Sequence, residues 1–109
     1  MHSHDIAWAA GLFEGEGTIV QDKRLKSSYC ASITMTDKDV IKRLTSIFNF
    51  GIYNEFHTPS AKKKGWKPIF RWSVGKKQDV IEFLELVLPY LGERRAYVAQ
   101  NALDNYNNI

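Results

Sequence analysis

The sequence predicts an α+β fold of order αββαββα(α), in which a four-stranded antiparallel sheet carries helices on one face and leaves the other face open. Two stretches rich in alternating and β-branched residues each lie between stretches of helical periodicity, which places two hairpins among helices. The second strand of each pair divides into an apolar and a polar side, so each sheet face has its own character. With 109 residues the chain, 1–109, is read as one domain around one core.

The elements follow in order. Residues 6–15 lack proline, carry Ala, Trp, Leu and Phe, and follow Ser3 and Asp5, either of which suits a helix cap. Gly15-Glu16-Gly17 is expected to end this first helix, because glycine readily takes the left-handed conformations that stop one. Residues 18–24 and 29–36 form the first hairpin, connected through Lys26-Ser27-Ser28. Tyr29, Ala31, Ile33 and Met35 make its apolar face, and Ser28, Cys30, Ser32, Thr34 and Thr36 its small polar one. Thr36-Asp37-Lys38-Asp39 reads as a capping box before Val40, Ile41, Leu44, Ile47 and Phe48, a second helix closing near Asn49. Residues 50–57 and 68–74 form the second hairpin around a lysine-rich loop, with Phe70, Trp72 and Val74 inward and Ile69, Arg71 and Ser73 outward. Val80, Ile81, Leu84, Val87 and Leu88 make a third helix halted at Pro89, and residues 93–105 a fourth. Trp8 and Trp72 are expected in the core.

Composition narrows the function classes. At 44% hydrophobic and 25% charged residues the chain is globular, which argues against disorder. A single cysteine, Cys30, permits no internal disulfide, and no Cys/His spacing suits structural zinc. No apolar run approaches the length of a membrane span and no secretory leader is visible, so the expected location is intracellular, cytoplasmic or organellar. There is no Gly-rich phosphate loop and no nucleotide-cofactor signature. Charge is unevenly distributed: residues 1–22 carry four acids and no Lys or Arg, residues 23–77 thirteen basic and three acidic residues, and residues 78–109 two arginines against five acids. A basic centre between acidic ends fits a face that meets nucleic acid, although a solvated basic loop accounts for the charge equally well. Trp66, among lysines, suits either stacking on a base or anchoring the loop.

The segment richest in chemistry is Ala9-Ala10-Gly11-Leu12-Phe13-Glu14-Gly15-Glu16-Gly17. Ala7, Gly11 and Gly15 recur every fourth residue, a nearly bare helical stripe with Ala10 beside it, suited to close packing within the domain or against a second copy. Glu14 and Glu16 fall at the negative end of the helix dipole, where a carboxylate is disfavoured unless a cation compensates. A divalent metal would do so; for Glu-Gly-Glu alone, solvated acids at a turn are the plainer explanation.

The whole string resembles the signature of the LAGLIDADG homing endonuclease family. Ala10-Gly11-Leu12 stands as in that motif, Phe13 fills the second aliphatic position, Glu14 and Glu16 replace its two acids, and Gly17 closes it. Ala9 for Leu, Gly15 for Ala and Glu for Asp twice are the departures. The resemblance continues through Thr18-Ile19, Thr36-Asp37-Lys38-Asp39, Phe50-Gly51-Ile52, Phe70-Arg71-Trp72 and Leu88-Pro89-Tyr90-Leu91.

The resemblance implies a homodimeric, site-specific double-strand DNA endonuclease acting with Mg²⁺ at a near-palindromic target, Ca²⁺ or Mn²⁺ substituting in binding. It implies that Glu16 reaches the metal, that Gly15 offers a carbonyl there, and that Ala7, Ala10, Gly11 and Glu14 meet a second copy, Glu14 also supporting the turn. The family's polar residue at the second helix falls on Asp37, and its basic residue on Arg94, with Arg95 as competitor; an arginine acts there through charge, being always protonated. Alternation together with the resemblance assigns Val20, Asp22, Arg24, Lys26, Ser28, Cys30, Ser32 and Thr34, joined by Arg71, to bases or phosphates, and Lys62, Lys63, Lys64 and Lys67 to the phosphate backbone. Two other readings stay open: a non-cleaving DNA- or RNA-binding module of the same fold, and a half-protein that pairs with a different subunit.

Overall fold

The computed structural model describes residues 2–24, 28–57 and 67–107. The connection at 25–27 and most of the lysine-rich loop, 58–66, lie outside the described residues, and with them Lys26, Lys62, Lys63, Lys64 and Trp66. The elements are α1 (Ser3–Glu16), β1 (Gly17–Gln21), β2 (Tyr29–Met35), α2 (Lys38–Ile47), β3 (Ile52–Phe56), β4 (Ile69–Val74), α3 (Lys77–Val87), a 3₁₀ turn (Leu88–Tyr90) and α4 (Glu93–Asn107). The order and the antiparallel sheet are those expected; the strands pair in the order β1-β2-β4-β3.

One face of the sheet is the floor of the core. Ala31 and Ile33 of β2 and Phe70, Trp72 and Val74 of β4 point into it, as alternation predicts. Above them lie Ile6, Ala9, Ala10 and Phe13 of α1, Ile41 and Leu44 of α2, Val80, Phe83, Leu84 and Val87 of α3, and Ala99, Ala102, Leu103 and Tyr106 of α4. Trp72 and Phe83 centre the aromatic packing, their ring centroids 5.0 Å apart with Phe48 against both. Gly51 is the chain's positive-φ glycine among the described residues, at φ 98°, and a side chain there would enter the Trp72 indole, so the turn before β3 requires both its conformation and its bareness. Tyr106 fastens α4 to the sheet: its hydroxyl accepts the Tyr29 N–H at 3.0 Å, while Asn105 donates to the Tyr29 hydroxyl at 2.7 Å.

Several local expectations are corrected. Ser3 and Asp5 do not cap α1; His2 occupies the N-cap without a side-chain bond. The capping box at residues 36–39 is not formed, since Asp37 is the N-cap of α2 and its side chain makes no cap bond. Gly15-Glu16-Gly17 does not end α1 through a left-handed residue: Gly17 is extended, at φ −80° and ψ 158°, and the helix runs directly into β1. Gly17 is small for another reason, because a Cβ would collide with the Phe13 ring and carbonyl. The strands are shorter than expected, and Pro89 is absorbed into a 3₁₀ turn. Trp8 is only half-buried, covered by the Arg43 guanidinium 4.0 Å above its ring.

Candidate active site and nucleic-acid interface

The junction of α1 and β1 is held by α4. Arg95 donates from Nε to the Glu14 carbonyl at 2.9 Å and from Nη1 to the Gly17 carbonyl, so one guanidinium spans the residues on either side of Glu16. The Glu14 carboxylate is committed as well: its Oε2 accepts the Gly92 N–H at 3.1 Å and lies 3.9 Å from Arg95 Nε. The cation that the helix end calls for is therefore supplied to Glu14 from within the chain. Glu16 is exposed and its side chain makes no hydrogen bond or ion pair among the described residues.

Beside this junction Gly17, Thr18, Ile19, Arg94, Arg95 and Val98 line a shallow hollow. The two arginines are not equivalent. Arg95 is mostly buried and locked in place, whereas Arg94 is exposed and has no polar partner among the described residues. Gly17 pairs with Ile33, so Glu16 lies at the end of the sheet where β2 leaves through Met35 to Asp37, the N-cap of α2. Glu16, Arg94 and Asp37 thus share one end of the molecule. Among the described residues no three His, Cys, Asp or Glu side chains gather as metal ligands.

The face of the sheet away from the helices follows from register, since directly paired residues point the same way. Thr18 and Val20 of β1, Cys30, Ser32 and Thr34 of β2, Ile69, Arg71 and Ser73 of β4, and Ile52, Asn54 and Phe56 of β3 form it. Val20, Cys30, Ser32, Thr34 and Arg71 were expected there; Thr18, Asn54, Ile52 and Phe56 were not. Period-two alternation through β1 and β3 carried that signal, but for β3, whose inward side holds only Tyr53 and Glu55, its direction was not legible. Asp22 and Ser28 close the strand ends: the Asp22 N–H donates to the Ser28 carbonyl at 2.8 Å, and the Asp22 carboxylate accepts the Arg24 N–H at 2.7 Å. Arg24 and Lys67 are exposed. Burial by neighbouring side chains raises the Cys30 thiol pKa, the nearby Arg71 partly countering it, so Cys30 stays a neutral thiol.

The LAGLIDADG-like domain profile matches residues 3–88, which includes α1, both hairpins and α3. The chain belongs to the family of LAGLIDADG-like domains. Its fold is similar to that of the homing endonuclease I-CvuI in complex with its target in 2 mM Ca, with TM-score 0.70 and 18% identity over 94% of this chain and 68% of that one. It is also similar, at TM-score 0.66 and the same 18% identity over 94% and 68% of the chains, to I-CvuI in complex with the I-CreI target in 2 mM Mg, in which the DNA is not cleaved. A search of curated protein sequences found no match.

Within the LAGLIDADG helix the bare residues divide. Gly11 and Gly15 open outward, where an added Cβ meets nothing within 4 Å, and Ala7 is half-buried. Ala10, expected at an interface with a second copy, is wholly buried in this chain's own core and offers a partner no surface. Glu14, expected there too, is occupied by Gly92 and Arg95 of its own chain. No helix among the described residues is long and apolar enough to cross a membrane.

Proposed function

We propose that this LAGLIDADG chain is a divalent-metal-dependent endonuclease that acts as a homodimer and cuts both strands of a near-palindromic DNA target. Glu16 carries the reading: an exposed carboxylate without a partner among the described residues, near one whose partners lie in the chain, at the end of a helix whose glycine side opens to space. Packing two copies along Gly11 and Gly15 would bring two such carboxylates toward one another, with the two open faces along one duplex.

The residues present fit a hard cation. Glu16 offers free carboxylate oxygens, and the Gly15 carbonyl lies in the last helical turn, where carbonyls lack intrahelical partners. With no group of three ligating side chains among the described residues, and Glu14 held by Gly92 and Arg95, phosphate oxygens, water and the second copy would complete the coordination. Mg²⁺ would supply Lewis acidity and a more acidic bound water, and Ca²⁺ or Mn²⁺ suits the same oxygen donors in binding. In hydrolysis a P–O bond would form from water as the bond to one sugar oxygen breaks; the attacking water gives up its proton to solvent and the departing sugar oxygen takes one up from solvent to become a hydroxyl. Arg94 would hold its charge near that phosphate and stabilise what develops on the oxygens, which Arg95, bound to two carbonyls, is not free to do. Asp37 is proposed to orient water from the start of α2. The open sheet face would enter a major groove, and Lys67 and Arg24 would hold phosphates.

The test is selection of cut products from a randomised duplex library with Mg²⁺ or Ca²⁺, comparing the wild type with Glu16→Gln, alongside sedimentation. The expected result is near-palindromic products only from the wild type with Mg²⁺, with both proteins dimeric and DNA-bound. Binding without cutting by either protein would instead support the non-cleaving module. A persistently monomeric chain would support pairing with a different subunit, and undiminished cutting by Glu16→Gln would refute the placement of the site.

A further inference from the structure

The open face is not uniformly polar. Ile52 is 62% exposed and Phe56 and Ile69 each 40%, all on the β3–β4 half of the sheet. Register sets Phe56 opposite Ile69 and Asn54 opposite Arg71, so two polar groups lie between apolar ones. Arg71 is held in that position: its Nε donates to the Thr34 hydroxyl at 3.4 Å, and its guanidinium lies 5.1 Å from the Phe56 ring centroid.

What covers this patch is indicated by its surroundings. No carboxylate belongs to the open face within the strands, since Glu55 pairs with Phe70 on the other face. The segment that joins Phe56 to Ile69 contains Lys62, Lys63, Lys64 and Lys67. Apolar side chains beside Arg71 and Lys67, on strands that give the open face no acid, suit a polyanion that itself displays methyl groups. In duplex DNA that methyl group is at C5 of thymine, and the adenine paired with it presents N7 and N6 in the same groove to an Asn or Gln amide. The Asn54 side-chain amide has no hydrogen-bond partner among the described residues, and Asn54 lies between Ile52 and Phe56 on one strand face.

Building on the proposed DNA-facing role of the sheet, we infer that Ile52, Phe56 and Ile69 read thymine methyl groups and Asn54 an adenine, so that the β3–β4 half of the sheet selects A·T pairs. Phe56 and Ile69 lie at the end of the sheet where Glu16 and Met35 lie, because Phe70 pairs with Met35. The thymines they read therefore belong to the part of each half-site next to the cleavage point.

The test begins with duplexes selected for binding by the whole chain in Ca²⁺, followed by replacement of each thymine in the recovered site with uracil, which removes only the methyl. About fourfold weaker binding is expected for each methyl read, at positions near the centre of the site, from the transfer energy of one buried carbon. Ile52→Ala and Phe56→Ala should each abolish one such uracil penalty, whereas Tyr97→Ala, an exposed position on α4, should leave those penalties intact. Uracil tolerated at every position, or central positions recovered as G·C pairs, would overturn the inference while leaving DNA binding in place. A change of oligomeric state in Phe56→Ala with the uracil penalties unchanged would also overturn it, marking the patch as a protein contact. Failure to bind any duplex would refute the functional reading itself, a separate outcome.

Discussion

At the level of single residues, the distinction between neighbouring charges is set by what each can reach. Glu14 and Glu16 are chemically alike and stand two apart at one helix end, yet Gly92, just before α4, and Arg95, within it, meet the first carboxylate, and no described residue meets the second. Arg94 and Arg95 divide in the same way, one exposed and one committed to the carbonyls of Glu14 and Gly17. Arg95→Met keeps much of the apolar stem but leaves those carbonyls without their donor and the Glu14 carboxylate without its cation, its Gly92 N–H bond remaining. Hydrogen bonds to a charged group are worth about 1.5–3 kcal/mol, so a loss of that order is expected in urea denaturation. Arg94→Gln should change stability by less than about 0.5 kcal/mol while impairing cleavage. Equal destabilisation by both substitutions would show that the two roles are misassigned.

At the level of elements, β3 is an edge strand with little apolar surface facing the helices, and polar contacts tie it to its neighbours. Glu55 lies 3.3 Å from Lys38 at the start of α2 and 3.2 Å from His57 Nε2, and the Tyr53 hydroxyl donates to it at 3.4 Å. The His57 and Lys38 hydrogen bonds hold the Glu55 pKa below the usual carboxylate range. A carboxylate whose pKa is depressed by folding adds stability above its unfolded pKa, and that contribution disappears as pH falls through the folded value. The melting-temperature difference between wild type and Glu55→Gln should therefore be present above the ordinary carboxylate pKa and shrink as pH falls through the lowered folded value. Being exposed, the pair should also weaken with added salt. A difference that persists unchanged in acid would refute the assignment. The α1–β1 junction differs in kind: it has no loop at all, so a helix dipole, a strand and a carboxylate meet within two residues, and their geometry depends on Arg95 from another element.

At the scale of the whole molecule, the helix face carrying Gly11 and Gly15 is the part of the LAGLIDADG helix that this chain leaves uncovered. Gly11→Ala meets no neighbour, so the isolated chain should gain up to about 1 kcal/mol from the better helix propensity of alanine. The same methyl would separate two closely packed helices, so sedimentation should show weaker self-association even as the dilute chain becomes harder to denature. Unchanged association would place the dimer contact elsewhere. Much of this architecture was legible beforehand. The order of elements, the inward sides of β2 and β4 and the motif at the end of the first helix all follow from periodicity, spacing and side-chain type, which are properties of adjacent residues. Local pattern also suggested caps at Ser3, Asp5 and Thr36 and a left-handed glycine stop, and these failed because direct continuation into β1 and packing against Phe13 decide that end of the helix. Tertiary structure alone decided that Ala10 is core, that Glu14 is occupied and Glu16 free, that Arg95 clamps while Arg94 projects, and that Ile52, Asn54 and Phe56 face outward. Those outcomes rest on contacts such as Glu14 with Gly92 and Arg95 with Gly17, 78 residues apart in sequence, and on strand register; no local periodicity encodes which distant group arrives beside a given side chain.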